Sequence, residues 1–293
     1  MITVLGSINM DLVTITNKDP LLGETVIGEH FSTIPGGKGA NQAVAAAKLG
    51  AEVQMIGRVG DDLFGNEYLT HLRNLGISTD NVKPVTHEKT GIASITVYEG
   101  DNKIIVVPGA NLQLTPNVVE EYKEEIVKSD WLLLQFEIPL ESVEKALEIA
   151  HQGGVKVILN PAPFEQIPKH WFEMITYLTP NEYEAEELFS LYKNDQDVLN
   201  SLKEKLVMTK GAQGVLLHDG EKEVTIPALK VETVDTTGAG DTFNGALAVA
   251  LSEGNNLKSA CEFAVKAAAL SVTKLGAQSG MPSRDEVNRL QGK

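Results

Sequence analysis

Residues 234–243 read Val-Asp-Thr-Thr-Gly-Ala-Gly-Asp-Thr-Phe, and this stretch decides how the rest of the chain is interpreted. Residues 230–234 alternate polar and β-branched side chains, which is typical of a short strand. The residues that follow place apolar side chains at helical spacing, namely Phe243, Ala246, Leu247, Ala250 and Leu251. The pattern therefore predicts a strand-to-helix turn, which is a repeating unit of α/β folds.

The predicted turn has the chemistry of an anion site. Backbone N–H groups at a helix start have no partner within the helix, and Gly238 and Gly240 have no Cβ to keep an anion away. The helix dipole adds to the attraction, and Asp241 would point at the bound group. Such a pair suits phosphoryl transfer to an alcohol. The alternative is an ordinary helix start, because glycines in turns also serve packing.

Two familiar nucleotide motifs are excluded. A dinucleotide fingerprint would need glycine where the chain has Phe243. A P-loop needs serine or threonine after Gly-Lys, yet Gly37-Lys38 is followed by Gly39. If the chain is a kinase, it is not a P-loop kinase.

Composition bounds the class of protein. The 293 residues, 42% hydrophobic and 22% charged, fit an ordinary globular protein of one large α/β domain or two smaller ones. A net charge of −15 without a basic stripe disfavours nucleic acid and anionic membranes as partners. The chain begins without a basic leader and has no apolar run of about 20 residues, so we expect a cytoplasmic protein.

Short apolar runs alternate with helical patterns. The predicted strands are 3–8, 53–59, 131–136, 155–160, 177–179, 206–209, 215–218 and 231–234. The predicted helices are 41–49, 64–74, 116–128, 140–152, 182–189, 195–202, 241–253 and 257–274. This order predicts one α/β domain over 1–293, with a largely parallel central sheet sandwiched by helices. Ligands of such sheets bind beyond the carboxyl ends of the strands.

One region departs from this order. Residues 12–16, 30–34, 91–98 and 103–108 have the pattern of antiparallel strands. They predict a small β lid, built from about 10–17, 28–36 and 90–109, that projects from the domain. Because an added sheet with an exposed face tends to need a partner, we expect a homodimer through the lid. The alternative is that these strands extend the edge of the main sheet.

A second glycine-rich turn opens another predicted helix, with Pro-Gly-Gly-Lys-Gly-Ala-Asn-Gln-Ala at 35–43. Lys38 and Asn41 could bind sugar hydroxyls, although Asn41 could instead cap the helix. Asn9 and Asp11 follow the first predicted strand and could reach the same ligand, or they could form an Asx turn. Glu137 ends the strand at 131–136, where it could grip a polyol or remain solvated.

Two further segments are candidates for the nucleotide side. Asn181 and Glu184 lie three residues apart, on one face of a predicted helix. They could hold a water shell around Mg²⁺, although acidic residues in a first turn usually complement the helix dipole. Residues 209–214, Thr-Lys-Gly-Ala-Gln-Gly, could line the phosphates of a nucleotide or form a plain hairpin.

Together and in this order, the motifs resemble the PfkB (ribokinase-like) family of carbohydrate kinases, which includes fructokinases and adenosine kinase. The resemblance spans the chain through 6–11, 36–41, 160–163, 179–182 and 235–241. It implies a ribokinase-like fold and ATP-dependent phosphorylation of a sugar, and the 36–43 motif favours D-ribose, phosphorylated at its 5-hydroxyl. A relative acting on 2-deoxyribose, fructose or a nucleoside is the alternative, and a catalytically silent sugar-binding regulator is a rival from another class.

The resemblance also implies residue roles. Asp241 would be the base, positioning the hydroxyl and accepting its proton late, and Gly238, Ala239 and Gly240 would form the anion hole. The sugar would be bound by Asn9, Met10, Asp11, Gly37, Lys38, Gly39, Ala40, Asn41, Glu137 and Asp241. ATP would be bound by Asn181, Thr209, Lys210, Gly211, Ala212, Gln213, Gly214, Gly240, Asp241 and Val265.

Two metal ions follow from the same resemblance. Asn181 and Glu184 would organise Mg²⁺ through water. K⁺ would be bound, in part by backbone carbonyls, at Asp235, Thr237, Ser271, Lys274, Gly276 and Gly280. Gln278 matches a family glutamine, whereas Gly280 stands where the family can have serine.

Overall fold

The computed structural model describes residues 1–99 and 101–290, so Gly100 and 291–293 of the predicted domain lie outside the described residues. The strands are β1 Ile2–Leu5, β2 Asn9–Ile15, β3 His30–Gly36, β4 Val53–Gly60, β5 Ser78–Val85, β6 Gly91–Tyr98, β7 Asp101–Val107, β8 Trp131–Leu134, β9 Lys156–Leu159, β10 Tyr177–Leu178, β11 Val207–Thr209, β12 Val215–His218 and β13 Glu223–Ile226. The α-helices are α1 Lys38–Lys48, α2 Leu63–Asn74, α3 Pro116–Glu121, α4 Lys123–Val127, α5 Leu140–Gly153, α6 Glu182–Tyr192, α7 Gln196–Lys203, α8 Ala239–Ser252, α9 Leu257–Ser271, α10 Ala277–Gly280 and α11 Arg284–Arg289.

The central sheet has six strands in the order β10-β9-β8-β1-β4-β5, and the neighbouring strands are parallel. Successive residues of β1 show why its sequence is continuously apolar. Val4 packs into the core on the side of α1, α8 and α9, whereas Leu5 packs into the core on the side of α3 and α5. A strand that is buried on both faces needs apolar side chains at every position. The predicted α/β sandwich is confirmed.

A second sheet has the order β3-β2-β6-β7 and contains the segments predicted for the lid. Its outer pairs, β2 with β3 and β6 with β7, are antiparallel as predicted, but the central pair of β2 and β6 is parallel. The chain passes through α1, β4, α2 and β5 before it reaches β6, and such a crossover returns a strand in the same direction. The strand β7 is exposed along its whole length. Asn9 and Gly36, at the root of this sheet, pair with each other.

A third sheet, β11-β12-β13, is antiparallel, and two isolated bridges join it to the main sheet, Leu178 with Leu206 and Asn181 with Thr209. The predicted strand at 231–234 is wrong, because this segment is an irregular loop. The backbone N–H groups of Val234 and Asp235 donate to the Val272 carbonyl at the end of α9, so the segment has no strand beside it.

Smaller differences concern the helices. The predicted helix at 116–128 is interrupted at Tyr122 and forms α3 and α4. The short helices α10 and α11 were not predicted. Across residues 1–99 and 101–290, no helix combines the length and apolar character needed to cross a bilayer.

Candidate active site

Asp241 lies in the first turn of α8, directly after the glycine turn. Gly238 is in the left-handed conformation with φ 74°, which lets the chain enter the helix. The carboxylate of Asp241 is buried against α1, and its two oxygens accept hydrogen bonds from that helix. Asn41 Nδ2 donates to Oδ2 at 3.0 Å, and Gln42 Nε2 donates to Oδ1 at 3.2 Å. The two glycine-rich turns of the sequence therefore meet at one acid.

Asn41 does not cap α1, so the capping interpretation was wrong. The N-cap position is Gly37, and Asn41 lies inside the helix. The N terminus of α1 is capped by Glu137, whose Oε2 accepts from the Lys38 backbone N–H at 3.0 Å and from Ser7 Oγ at 2.6 Å. Oε2 of Glu137 thus stabilises the start of α1, and Oε1 is available to a ligand.

Charged groups surround the same space. Burial, followed by repulsion from Glu137 and Asp241, raises the pKa of Asp11 from 3.8 to about 7. Burial opposes the charge of Lys38, but attraction from Asp241, Glu137 and Glu184 outweighs it and raises the pKa of the lysine. Lys38 is therefore the cation that these carboxylates share.

Glycine is required at the root of the lid by close backbone contacts. A Cβ at Gly39 would lie 2.6 Å from the Ser7 backbone N, and a Cβ at Gly37 would lie 2.6 Å from the Asn9 backbone N. A Cβ at Gly36 would lie 2.4 Å from both carboxylate oxygens of Asp11. The glycines thus bring the loop after β1 and the carboxylate of Asp11 against the start of α1.

The remaining residues predicted for the sugar side occupy different environments. Asn9 is buried, and its Oδ1 accepts from Asn111 Nδ2 at 2.8 Å. The side chains of Met10 and Ala40 are fully buried in the core, so a ligand could meet only their backbone. The structure therefore brings Asn9, Asp11, Lys38 and Asn41 to one region, but it does not expose the side chain of Met10.

A cavity of about 410 Å³ lies beside the glycine turn, with Thr236, Ala239 and Gly240 in its lining. Among the residues predicted for ATP, it is lined by Thr209, Gly211, Ala212, Gly214, Gly240 and Val265. Val215, Val231, Phe243, Ala268 and Val272 contribute apolar wall, which suits a flat heteroaromatic base. Lys210, Gln213, Asn181 and Asp241 do not line the cavity, although Asn181 pairs with Thr209 at its edge and Asp241 follows Gly240.

Asn181 and Glu184 form a reciprocal cap at the start of α6. The Glu184 backbone N–H donates to Asn181 Oδ1 at 2.9 Å, and the Asn181 N–H donates to Glu184 Oε2 at 2.8 Å. Burial raises the pKa of Glu184, while the Asn181 N–H and the charge of Lys38 oppose the shift. Within the described residues no three His, Cys, Asp or Glu side chains converge as a metal cage. The second oxygen of Glu184 fits an ion held through water.

The residues predicted for K⁺ lie in two adjoining loops. Asp235 Oδ1 accepts from the Thr237 N–H at 2.9 Å, and Oδ2 accepts from the Gly276 N–H at 2.8 Å. A Cβ at Gly280 would lie 2.3 Å from the Ser271 carbonyl oxygen and 3.5 Å from that of Lys274. K⁺ is typically coordinated by converging carbonyl oxygens, so the oxygen atoms of these two loops fit this ion.

Four amide side chains at the site were not assigned to substrate, nucleotide or metal from the sequence. Gln42 Oε1 accepts from Gln135 Nε2 at 2.6 Å, Gln42 Nε2 also reaches Asn160 Oδ1 at 3.2 Å, and Gln278 Nε2 donates to Asn41 Oδ1 at 2.9 Å. Gln42 and Asn160 lie within the motifs at 35–43 and 160–163, so their position in these motifs could have marked them as site residues. Gln135 directly follows the apolar strand β8, and a polar residue at that position was the only sign of a role in the site.

The parallel sheet, the projecting sheet and the buried acid beside a glycine turn define the class as an α/β kinase of small molecules that lacks a P-loop. The family model described as "pfkB family carbohydrate kinase" matches residues 1–284. The chain therefore belongs to the pfkB family of carbohydrate kinases.

Relatives agree with this assignment. A ribokinase of Bacillus subtilis (strain 168) is 50% identical over 289 residues, which cover 99% of this chain and 98% of the relative. A deoxyribokinase of Salmonella typhi is 38% identical over 297 residues, covering 98% of this chain and 97% of the relative. The solved structure of Arabidopsis thaliana ribokinase complexed with ribose and ATP matches with a TM-score of 0.92 at 32% identity, covering 100% of this chain and 98% of that one.

Proposed function

We propose that this chain transfers the γ-phosphoryl group of ATP to the 5-hydroxyl of D-ribose and forms D-ribose 5-phosphate, which feeds ribose catabolism and nucleotide synthesis. The observation that carries the proposal is that Asp241 lies next to polar side chains of α1 and directly after a residue that lines the cavity. Its carboxylate is held by Asn41 and Gln42 on the polar side, whereas the preceding residue, Gly240, lines the largely apolar cavity. An acceptor hydroxyl at the carboxylate and a nucleotide in the cavity can therefore meet at the start of α8.

Ribose is bound by the polar groups at the root of the lid. Asp11 and Glu137 accept hydrogen bonds from sugar hydroxyls, and Lys38 and Asn41 donate to them. A nucleoside base would favour apolar or aromatic walls on this side, whereas Asn9, Asp11 and Glu137 are all polar. These groups favour a bare sugar as the acceptor.

Phosphoryl transfer is organised by the start of α8. The backbone N–H groups of Gly238 and Gly240 face the charge that develops on the transferring group, and Lys38 adds a positive charge. The N–H of Ala239, also expected in the anion hole, already donates to the Thr236 carbonyl at 3.2 Å. Asp241 positions the 5-hydroxyl and accepts its proton late, because a carboxylate is a weak base toward an alcohol.

The nucleotide and metal ions have distinct places in this proposal. Thr209, Gly211, Ala212, Gly214 and Val265 contact ATP in the cavity. Asn181 and Glu184 would hold Mg²⁺ through water, and this ion neutralises phosphate charge when bound. The loops at 235–237 and 271–280 would hold K⁺ and order the backbone next to the glycine turn.

The second candidate acceptor is 2-deoxyribose, because the deoxyribokinase relative is 38% identical over nearly the whole chain. A coupled assay of ADP release with ribose, 2-deoxyribose, fructose and adenosine distinguishes the acceptors, and each is measured in K⁺ and then in Na⁺. We expect the highest kcat/KM with ribose in K⁺. Higher kcat/KM with another sugar would replace ribose as the substrate. Ribose binding by calorimetry without ADP release from any acceptor would identify a silent sugar-binding protein.

Two further properties belong to the proposal. The lid sheet ends in the exposed edge strand β7, which carries Ile104, Ile105, Val106 and Val107. An exposed apolar edge favours association with a second copy, so we expect a homodimer through the lid. We also assign the chain to the cytoplasm, where ATP is available.

A further inference from the structure

Gln278, on the short helix α10, joins three parts of the site through one buried side chain. Its Nε2 donates to Asn41 Oδ1 at 2.9 Å and to the Tyr68 hydroxyl at 2.8 Å. Its Oε1 lies 2.7 Å from Nε2 of His71. The residue is only 4% exposed, so losing one of these partners would leave a buried polar group without a hydrogen bond.

The direction of each hydrogen bond follows from the carboxylate of Asp241. An ionised carboxylate only accepts hydrogen bonds, so Asn41 must turn its Nδ2 toward Asp241. The Oδ1 of Asn41 then points away and needs a donor, which is Nε2 of Gln278. Gln278 Oε1 in turn accepts from His71 Nε2–H, which sets the tautomer of this histidine. Reversing the amide of Asn41 would place oxygen against oxygen at Asp241 and N–H against N–H at Gln278.

The same glutamine reaches the root of the lid. Tyr68 is fully buried, and its hydroxyl donates to the Gly36 carbonyl at 2.5 Å, where β3 ends. The backbone of α10 is fixed separately, because Lys48 Nζ donates to the Gln278 carbonyl at 2.6 Å and to the Met281 carbonyl at 3.1 Å. Lys48 thus holds the backbone at Gln278, and the side chain of Gln278 makes its hydrogen bonds to residues of the site.

We propose that Gln278 is a positioning residue, which holds the amide of Asn41 in the one orientation that donates to Asp241. The inference rests on the proposed role of Asp241 as the base. With an apolar residue at 278, Asn41 Oδ1 loses its donor, and the amide of Asn41 is no longer held in one orientation. A reversed amide would present its oxygen to Asp241, and the carboxylate of Asp241 would then rotate away from the acceptor hydroxyl. Misplacing a reacting group by about 1 Å can cost ~100-fold in rate.

Gln278→Met and Gln278→Glu test the proposal. Methionine keeps the length of the side chain and fills the space without a donor, so we expect kcat with ribose to fall ~10- to 100-fold, with KM for ATP unchanged. Glutamate keeps the shape, but its carboxylate has no N–H to donate to Asn41 Oδ1, so we expect the same loss of kcat with KM for ATP unchanged.

A packing role would give a different result. A side chain that only fills space can be replaced by the isosteric glutamate, so if Gln278→Glu or Gln278→Met keeps the kcat of the wild type, the positioning role is wrong. Gln113→Met is the matched control, because Gln113 is exposed and donates only to Glu88 on the surface. Thermal unfolding checks that each variant is folded. A wild type that phosphorylates no acceptor would instead refute the proposed function, so the two failures are distinguishable.

Discussion

Asn41 Nδ2 donates to Asp241 Oδ2 at 3.0 Å, which joins two residues that lie 200 positions apart in the chain. The start of α1 and the start of α8 thereby form one unit. The orientation of the acid is fixed from the opposite helix and not by its own turn. The following predictions test this arrangement and its surroundings.

Removing the charge of Asp241 should abolish most turnover without unfolding the protein. In Asp241→Asn the side chain keeps its shape but can no longer accept the proton of the hydroxyl, so we expect kcat to fall at least ~100-fold. The coupled ADP-release assay measures the loss. Asp285→Asn is the control, since Asp285 is also in a first helical turn but is exposed on α11. Near-normal turnover in Asp241→Asn would refute the role of the acid.

The same substitution at two glycines should have opposite effects on stability. Gly240 and Gly39 are each the second residue of a helix, α8 and α1. A Cβ at Gly240 meets no atom within 4 Å, so alanine should leave the fold intact or stabilise it by about 0.5–1 kcal/mol, yet lower kcat by narrowing the anion site.

At Gly39 the added Cβ meets backbone atoms at 2.6 Å and 2.7 Å, so alanine should destabilise by about 1–3 kcal/mol. Chemical denaturation of both variants measures the difference. Equal changes in the free energy of unfolding would contradict the contacts described for these two positions.

Asp11 should make the protein less stable as pH rises. Its pKa is about 7 in the folded protein against an ordinary value of 3.8, so the folded state holds more protons between these pH values. The free energy of unfolding contributed by this group therefore falls as pH rises through that window. Asp11→Asn removes the effect, and its stability advantage over the wild type should grow by about 1–2 kcal/mol from pH 5 to pH 8.

Urea unfolding at the two pH values measures this growth. Asp80→Asn, at an exposed position on β5, serves as the control and should show no growth. An advantage of Asp11→Asn that stays constant with pH would mean that its carboxyl group titrates alike in the folded and unfolded states.

A charge on the edge of the lid should break the expected dimer. Ile105 on β7 is 68% exposed, and Ile105→Glu would place a carboxylate on that apolar edge. We expect sedimentation to show a dimer for the wild type and a monomer for the variant. Val127→Glu, at an exposed apolar residue of α4 outside the lid, should remain dimeric. A monomeric wild type at micromolar concentration would refute the dimer itself.

The parts of the fold that the sequence predicted are those whose side chains are dictated by burial. The continuous apolar run of β8 is typical of a strand buried on both faces. In contrast, β5 was missed because an edge strand with the sequence Ser-Thr-Asp-Asn-Val-Lys-Pro-Val has no apolar period. The segment 230–234 has a strand-like pattern but no neighbour to pair with, and pairing is a tertiary property that local alternation does not report.

The same distinction applies to the candidate site. Asp241, Lys38 and Asn41 lie in or next to glycine-rich turns. Such turns can be recognised in the sequence because their backbone conformation and close contacts require glycine. Gln135 and the amide of Gln278 have no such mark, because their contribution depends on the partner that the fold brings to them. Gly240 and Val265 were predicted to bind the nucleotide, and both line the cavity, whereas Gly238, predicted for the anion hole, precedes α8 in the adjacent turn. Their roles in catalysis and binding remain predictions.

The burial of α8 has a consequence for motion during turnover. Every residue from Asp241 to Leu251 is buried, so this helix cannot shift without disturbing the core on one face of the sheet. Asp11, by contrast, is carried by β2 of the projecting sheet. Asp241 therefore stays in place during turnover. Any closing movement that completes the reaction geometry has to be made by the projecting sheet, which brings the sugar toward Asp241.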